Sequence, residues 1–244
     1  SIDRKYPALT TSPRLSLPKI LSATAQVRQQ LQDYQPPPQF FEQILKPHAP
    51  IDPEHIFVAD SPTSLGSMLG YNLAEPEDGI LVSRPVYGRF ELDYGVESSV
   101  RMVYADTTAE EAFSPACVEY YERALKECGK KIRAVLLVNP QTLLVRNICR
   151  LVHEIELIAC LFSGRCYPVE TLKAIARFCN KHRLHLISDE VYASCVFDSG
   201  DPAAVPFTSI LSLDFAELID PNLVHVLYGF SKVGFGQSPR RHGI

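Results

Sequence analysis

Neither sign of charge dominates this 244-residue chain: 24 lysines and arginines face 28 acids, and the net charge is −4. The two signs are well mixed, which speaks against a nucleic-acid-binding surface. No apolar run is long enough to cross a membrane. The nearest approach, QTLLVRNICRLVHEIELIACLFS at 141–163, is broken by Arg146, Arg150, His153, Glu154 and Glu156. The opening SIDRKYPALTTSPRL lacks the apolar centre of a signal peptide and has no initiator methionine, as expected of a fragment. Seven cysteines, an odd number without zinc-like pairing, predict reduced thiols in an intracellular, cytoplasmic protein rather than a disulfide framework. No metal site is expected, because His153, Glu154 and Glu156 lie too close together to share one helix face. Internal repeats and low-complexity tracts are absent.

What is present is an alternation of short apolar runs with helical periodicity. Strands are expected at 79–83, 100–104, 132–138, 184–187 and 223–228, with a further turn and strand in IDPEHIFVAD at 51–60. Helices are expected from Ser61 to about Leu73, over Pro115 to Lys126, and over Val169 to His182, where Leu172, Ile175, Ala176 and Phe178 recur. Two more are expected over Ile20 to Tyr34 and through Phe40, Phe41, Ile44 and Leu45. Leu144, Ile148, Leu151, Ile155, Ile158 and Phe162 give the 141–163 stretch helical spacing as well. Strand and helix alternation predicts an α/β fold, a three-layer α/β/α sandwich around a mainly parallel sheet. Residues 1–35 are expected to be an arm or the remnant of a smaller domain. Residues 36–244 are expected to form one large domain, interrupted at 141–163.

The chemistry concentrates in LHLISDEVYASCVF, Leu184 to Phe197, and in Tyr228-Gly229-Phe230-Ser231-Lys232. A buried strand ending in Ser188-Asp189-Glu190 delivers acids to the carboxyl end of a sheet, where open α/β sheets bind ligands. A second strand delivers Ser231 and Lys232 toward the same edge. If the pocket holds pyridoxal phosphate, a lysine amine can form a Schiff base with its aldehyde, and a buried carboxylate can keep the pyridine nitrogen protonated. Lys232 is then the anchor, Asp189 the electronic partner, and Tyr192 a hydrogen-bond partner for the ring hydroxyl. Spacing alone equally allows Asp189 and Glu190 to cap a turn and Lys232 to be a solvated lysine.

HLISDEVYASCVF followed by LVHVLYGFSK resembles the aminotransferase class I and II family of fold type I pyridoxal phosphate enzymes. The likeness is nearest the branch of 1-aminocyclopropane-1-carboxylate synthases and their fungal relatives, and it runs from about Leu15 to Lys232. It implies an amino-acid substrate, pyridoxal 5'-phosphate as cofactor and a homodimer. The catalytic residues it implies are Lys232, Asp189 and Tyr192. Thr63 falls at the hydroxyl position of the phosphate-cradling turn, with Ser64 beside it, and Tyr87 at the position that stacks on the ring. Ser231 keeps a hydroxyl next to the lysine, and Arg240 or Arg241 matches the arginine that clamps the phosphate. Four departures stand out. Pro62 lacks an N–H, and Gly229 replaces a phosphate-binding serine. Residues 141–163 hold no Asn-Pro, only Asn147 before isoleucine, so the cofactor asparagine is missing. The chain stops at Ile244, short of the substrate-carboxylate arginine. These departures open the alternative of a truncated, non-catalytic homologue with weak or no cofactor binding.

Overall fold

The computed structural model describes residues 38–108, 111–141, 165–196 and 200–230. The helices expected at 20–34 and within 141–163, and the positions Ser231, Lys232, Arg240 and Arg241, lie outside the described residues. Five strands make one sheet: β1 (Gly79–Arg84), β2 (Arg101–Asp106), β3 (Ile132–Val138), β4 (His185–Asp189) and β5 (Val224–Leu227). Their order is β2-β1-β3-β4-β5, and every neighbouring pair is parallel.

A parallel sheet is covered on both faces, so its strands read as unbroken apolar runs. In β1 the first five residues are all buried, and in β3 all but Arg133 are. Successive side chains still alternate between faces. Ile80, Val82, Ala134, Leu136 and Ile187 join one core cluster, while Leu81, Val135, Leu137 and Leu186 join the other. The first cluster is roofed by α2 (Pro62–Leu73) and α3 (Phe90–Gly95) through Leu65, Leu69, Phe90 and Tyr94. The second is closed by α4 (Cys117–Glu127) and α5 (Val169–His182) through Tyr121, Leu172, Ile175 and Phe178. The result is a three-layer α/β/α sandwich. Each fully buried leucine or isoleucine contributes about 1.5–3 kcal/mol relative to exposure, so the two clusters hold the sheet from both sides. A further helix, α1 (Pro38–Leu45), lies outside these layers.

Residues 51–60 correct one expectation. A short 3-10 turn at Pro53–His55 is capped by Asp52, whose carboxylate accepts from the Glu54 amide at 2.9 Å. The residues after it run extended without pairing, and Phe57 is 67% exposed. Extended backbone becomes a strand only against a neighbour that takes its hydrogen bonds. The described sheet ends at β2 and β5, and neither pairs with this segment.

Candidate active site

The chain runs from β1 outward to β2, then crosses back to place β3 on the other side of β1. Such a reversal opens a crevice at the carboxyl ends of the strands. Across it the Gln141 side-chain amide donates to the Pro85 carbonyl at 3.0 Å. Gln141 also exchanges backbone hydrogen bonds with Arg165, at 2.8 and 3.2 Å, so the two chain points flanking the atypical stretch meet at the crevice.

Asp189 ends β4 between Val138 of β3 and Leu227 of β5. Its carboxylate accepts from the Val191 amide at 3.3 Å, and the residue is only 9% exposed. Burial pushes the carboxyl up to about 6; the Val191 bond opposes the rise, and the charge of Asp93 adds to it. No ion pair among the described residues offers Asp189 a cation. A buried carboxyl without one is held toward its neutral form and gains from any cation brought to it.

Glu190 corrects the expectation that both acids face the crevice. It is fully buried, and its Oε1 accepts from Ser188 Oγ at 2.8 Å and from the Ile210 amide at 2.9 Å. Burial pushes it to about 7, and Oε2 has no partner. Glu190 thus ties the end of β4 to the 209–210 turn. Asn139 is likewise consumed by structure. Its side chain donates to the Thr208 carbonyl at 2.8 Å and accepts from the Tyr167 amide at 3.2 Å, and its own amide donates to the Asp189 carbonyl at 2.9 Å.

Beyond β4, Tyr192 is half-buried in the turn, its carbonyl accepting from the Cys195 amide at 2.9 Å. Tyr87 is 40% exposed and meets Phe90 edge-on at 5.2 Å between ring centroids, which leaves much of its surface open. Phe40, Phe41, Tyr228 and Phe230 form an aromatic cluster with centroids 5.3–6.1 Å apart. Ser194 Oγ lies 2.7 Å from the Tyr228 hydroxyl. These contacts fix α1 against the chain just before Ser231 and Lys232.

The amino end of α2 is mostly spoken for. Pro62 has no N–H, the Ser64 amide donates to Ser61 Oγ at 3.1 Å, and the Leu65 amide donates to the Ser61 carbonyl at 3.1 Å. Ser61 and Ser64 hydroxyls lie 3.1 Å apart, and the Thr63 side chain helps hold the Asp93 carboxyl down. Gly229 packs directly against the proline: a Cβ there would lie 2.8 Å from Pro62 Cγ and 3.7 Å from Val191 Cγ1. The two departures seen in the sequence are therefore one contact, in which the pyrrolidine ring occupies the space of a residue-229 side chain.

Asp93, Tyr94 and Arg89 were not singled out by the sequence. Burial pushes Asp93 up, and Arg89 and Thr63 hold it down. Tyr94 is fully buried beneath Gly66 of α2. Its hydroxyl has no partner, and the charges of Asp189 and Asp93 both act on it. The apolar i, i+4 pair Phe90 and Tyr94 signalled a buried helix face. Nothing in the sequence signalled Asp93.

These features define a parallel α/β domain with a buried acid, Asp189, at the carboxyl edge of its sheet. Residues 8–236 match the family described as aminotransferase class I and II, and the chain belongs to that family. It is 31% identical over 205 residues to the "probable aminotransferase sirI" of Leptosphaeria maculans and 32% identical over 213 residues to the "probable aminotransferase gliI" of Aspergillus fumigatus. Each alignment covers 84% of this chain but 45% and 43% of those proteins, so the chain spans under half the length of these relatives. It is also 29% identical to 1-aminocyclopropane-1-carboxylate synthase 2 of Solanum lycopersicum, over 82% of the chain and 39% of that protein. In fold it resembles the aspartate aminotransferase of Thermotoga maritima, with a TM-score of 0.58, 22% identity, and coverage of 80% of this chain and 42% of that one.

Proposed function

We propose that this chain is the cofactor-binding part of a pyridoxal-phosphate-dependent enzyme acting on an amino acid, of aminotransferase or 1-aminocyclopropane-1-carboxylate synthase type. The observation that carries the reading is Asp189, a nine-tenths-buried carboxyl at the end of a parallel strand with one backbone hydrogen bond and no ion pair among the described residues. A protonated pyridine nitrogen supplies the missing partner, so the ring end of the site fits the group. When bound, pyridoxal phosphate supplies an electron sink for a carbanion at the substrate α-carbon. Asp189 holds the proton on the ring nitrogen, and Tyr87 offers an open aromatic face. Lys232, by its family position, anchors the cofactor covalently and moves the α-proton on Nζ. Tyr192 and Ser231 belong to the same assignment, as does a phosphate clamp by Arg240 or Arg241. The homodimer and the cytoplasmic location are carried by the family likeness. No helix among the described residues is long and apolar enough to cross a membrane.

One observation favours the second reading, a homologue with weak cofactor binding. At the amino end of α2 the Ser64 and Leu65 amides are taken by Ser61 and Pro62 has no N–H, which leaves few donors there for a phosphate. Losing two charge-assisted hydrogen bonds weakens binding by about a hundredfold or more. The two readings separate on one experiment: titration with pyridoxal phosphate, borohydride reduction, and mass mapping of the modified lysine. An adduct on Lys232 that Lys232→Ala abolishes supports the enzyme. A folded chain that forms no such adduct at millimolar cofactor overturns it in favour of the second reading.

A further inference from the structure

The sheet has a second open edge. At the amino ends of β3 and β4, opposite the edge that carries Asp189, lies a cavity of about 590 Å³. Lys131, Arg133, Arg183 and His185 line it, His182 extends it, and Leu73, Ile132 and Leu184 give it an apolar wall. These cations arrive from separate elements. Arg133 comes from β3, His185 from β4, and Arg183 from the left-handed cap that closes α5 at φ 55°. Among the described residues no acid lines the cavity.

Acids stand behind it and pair with two of the cations, Arg133 and Arg183, though neither pair is a tight bidentate one. Asp78 lies 3.1 Å from Arg133 Nε but outside hydrogen-bond geometry, so that buried N–H has no acceptor. Asp220 reaches Arg183 only at 3.5 Å. Glu122 is shared between His182 and Lys181, at 2.8 and 2.7 Å. Lys131 forms no ion pair among the described residues. The carboxyl end of α2, at Asn72 and Leu73, brings a partial charge of about −0.5, smaller than the full charge of Lys131. His185 registers the imbalance, since after burial the charges of Arg133 and Arg183 are what lower its pKa.

We propose that this amino-edge cavity binds a phosphate-bearing small molecule, at a site separate from the carboxyl-edge crevice. Two guanidinium forks and an ammonium suit the several oxygens of a phosphate or diphosphate group better than a single carboxylate. The volume falls in the range of organic-ligand pockets, which leaves the apolar wall for the body of the ester. This site does not depend on cofactor binding at Asp189.

The test is calorimetric titration of the full chain with inorganic pyrophosphate at low salt. Saturable one-to-one binding is expected. Lys131→Gln and Arg183→Gln should each weaken it about tenfold, while Lys173→Gln, near the opposite end of α5 from Arg183, leaves it unchanged. The Lys131 side chain makes no hydrogen bond or ion pair among the described residues, and the substitution keeps its backbone bond to Gly79, so its variant keeps the test decisive even if Arg183→Gln fails to fold. The His185 imidazole resonances should shift during the titration and stay still in Lys131→Gln at the same concentration. The absence of saturable binding overturns the proposal. So does binding that Thr63→Ala weakens and Lys131→Gln does not, which places the anion at the other edge. Equal weakening by Lys173→Gln also overturns it, because only general charge attraction is then at work.

Discussion

Within one strand, β4, the carboxyl end carries Asp189, pushed up to about 6 by burial, and the amino end carries His185, its pKa lowered by burial and by Arg133 and Arg183. His185 Nδ1 lies 3.0 Å from His225 Nε2, a contact that requires at least one ring to be neutral. His225 is held down to about 4, chiefly by burial. At each edge burial shifts a titratable group toward its neutral form, and each group gains from a ligand of opposite sign: a cation near Asp189, an anion near His185. A covered parallel sheet has apolar faces, so its polar chemistry is confined to its two edges. Here those edges are tuned in opposite directions.

The largest effect that distinguishes them is on stability against pH. An acid whose folded pKa is raised contributes stability fully below its unfolded value and loses it as pH rises through the folded one. Without cofactor, Asp189 should therefore cost the fold about 3 kcal/mol between pH 4 and 7, and Glu190 acts with the same sign. The histidines act the other way. A base with a lowered folded pKa loses its contribution as pH falls, here from about 6.5 toward 4. Ion-paired surface acids such as Glu122 add to that acid-side loss. Asp189 and His225 both act over about pH 4–6.5, so urea midpoints across that window should change slope in opposite senses: Asp189→Asn removes a fall in stability with rising pH, and His225→Gln removes a rise. Variants that change the slope in the same sense would break the opposition of the edges.

A second effect sharpens the carboxyl edge itself. Gly229→Ser places a Cβ 2.8 Å from Pro62 Cγ, nearer than packing allows. Overpacking of this kind costs about 1–3 kcal/mol. In a Pro62→Ala background the space is free, and the same substitution should cost little. A double-mutant cycle by chemical denaturation measures the coupling. A coupling near zero would mean that the two departures are independent, contrary to the contact seen here.

Most of the fold was legible because parallel strands carry unbroken apolar runs: β3 and α5 fall where the sequence places them, and the other strands within a residue or two. The segment at 51–60 was not, because its composition suits a strand but pairing depends on a neighbour the local sequence does not specify. Asp189 was legible as a polar residue closing an apolar run. Glu190, one residue on, looked equivalent, and only the fold shows that it turns inward to Ser188 and Ile210. Pro62 and Gly229 were each visible as departures. Their contact spans 167 residues of sequence, from 62 to 229, and no spacing rule reaches that far. The amino-edge cations were invisible for the same reason, since scattered lysines and arginines in a balanced composition give no sign of converging.

The smallest expected effect concerns a pair that looks strong and is not. At the carboxyl ends of β1 and β2, Arg84 grips Asp106 with two hydrogen bonds, at 2.6 and 2.8 Å, and its guanidinium lies 4.7 Å from the Tyr104 ring centroid. Both side chains are largely exposed, at 49% and 70%. Water and salt screen such a pair, so Asp106→Asn should cost no more than about 0.5–1 kcal/mol, and less as salt rises. Thermal denaturation at two ionic strengths checks this. Asp189 makes fewer bonds than Arg84 but should matter several times more, because burial rather than bond count sets the energy of a charge. If Asp106→Asn instead matched Asp189→Asn in size, burial would not be what distinguishes the groups along this edge.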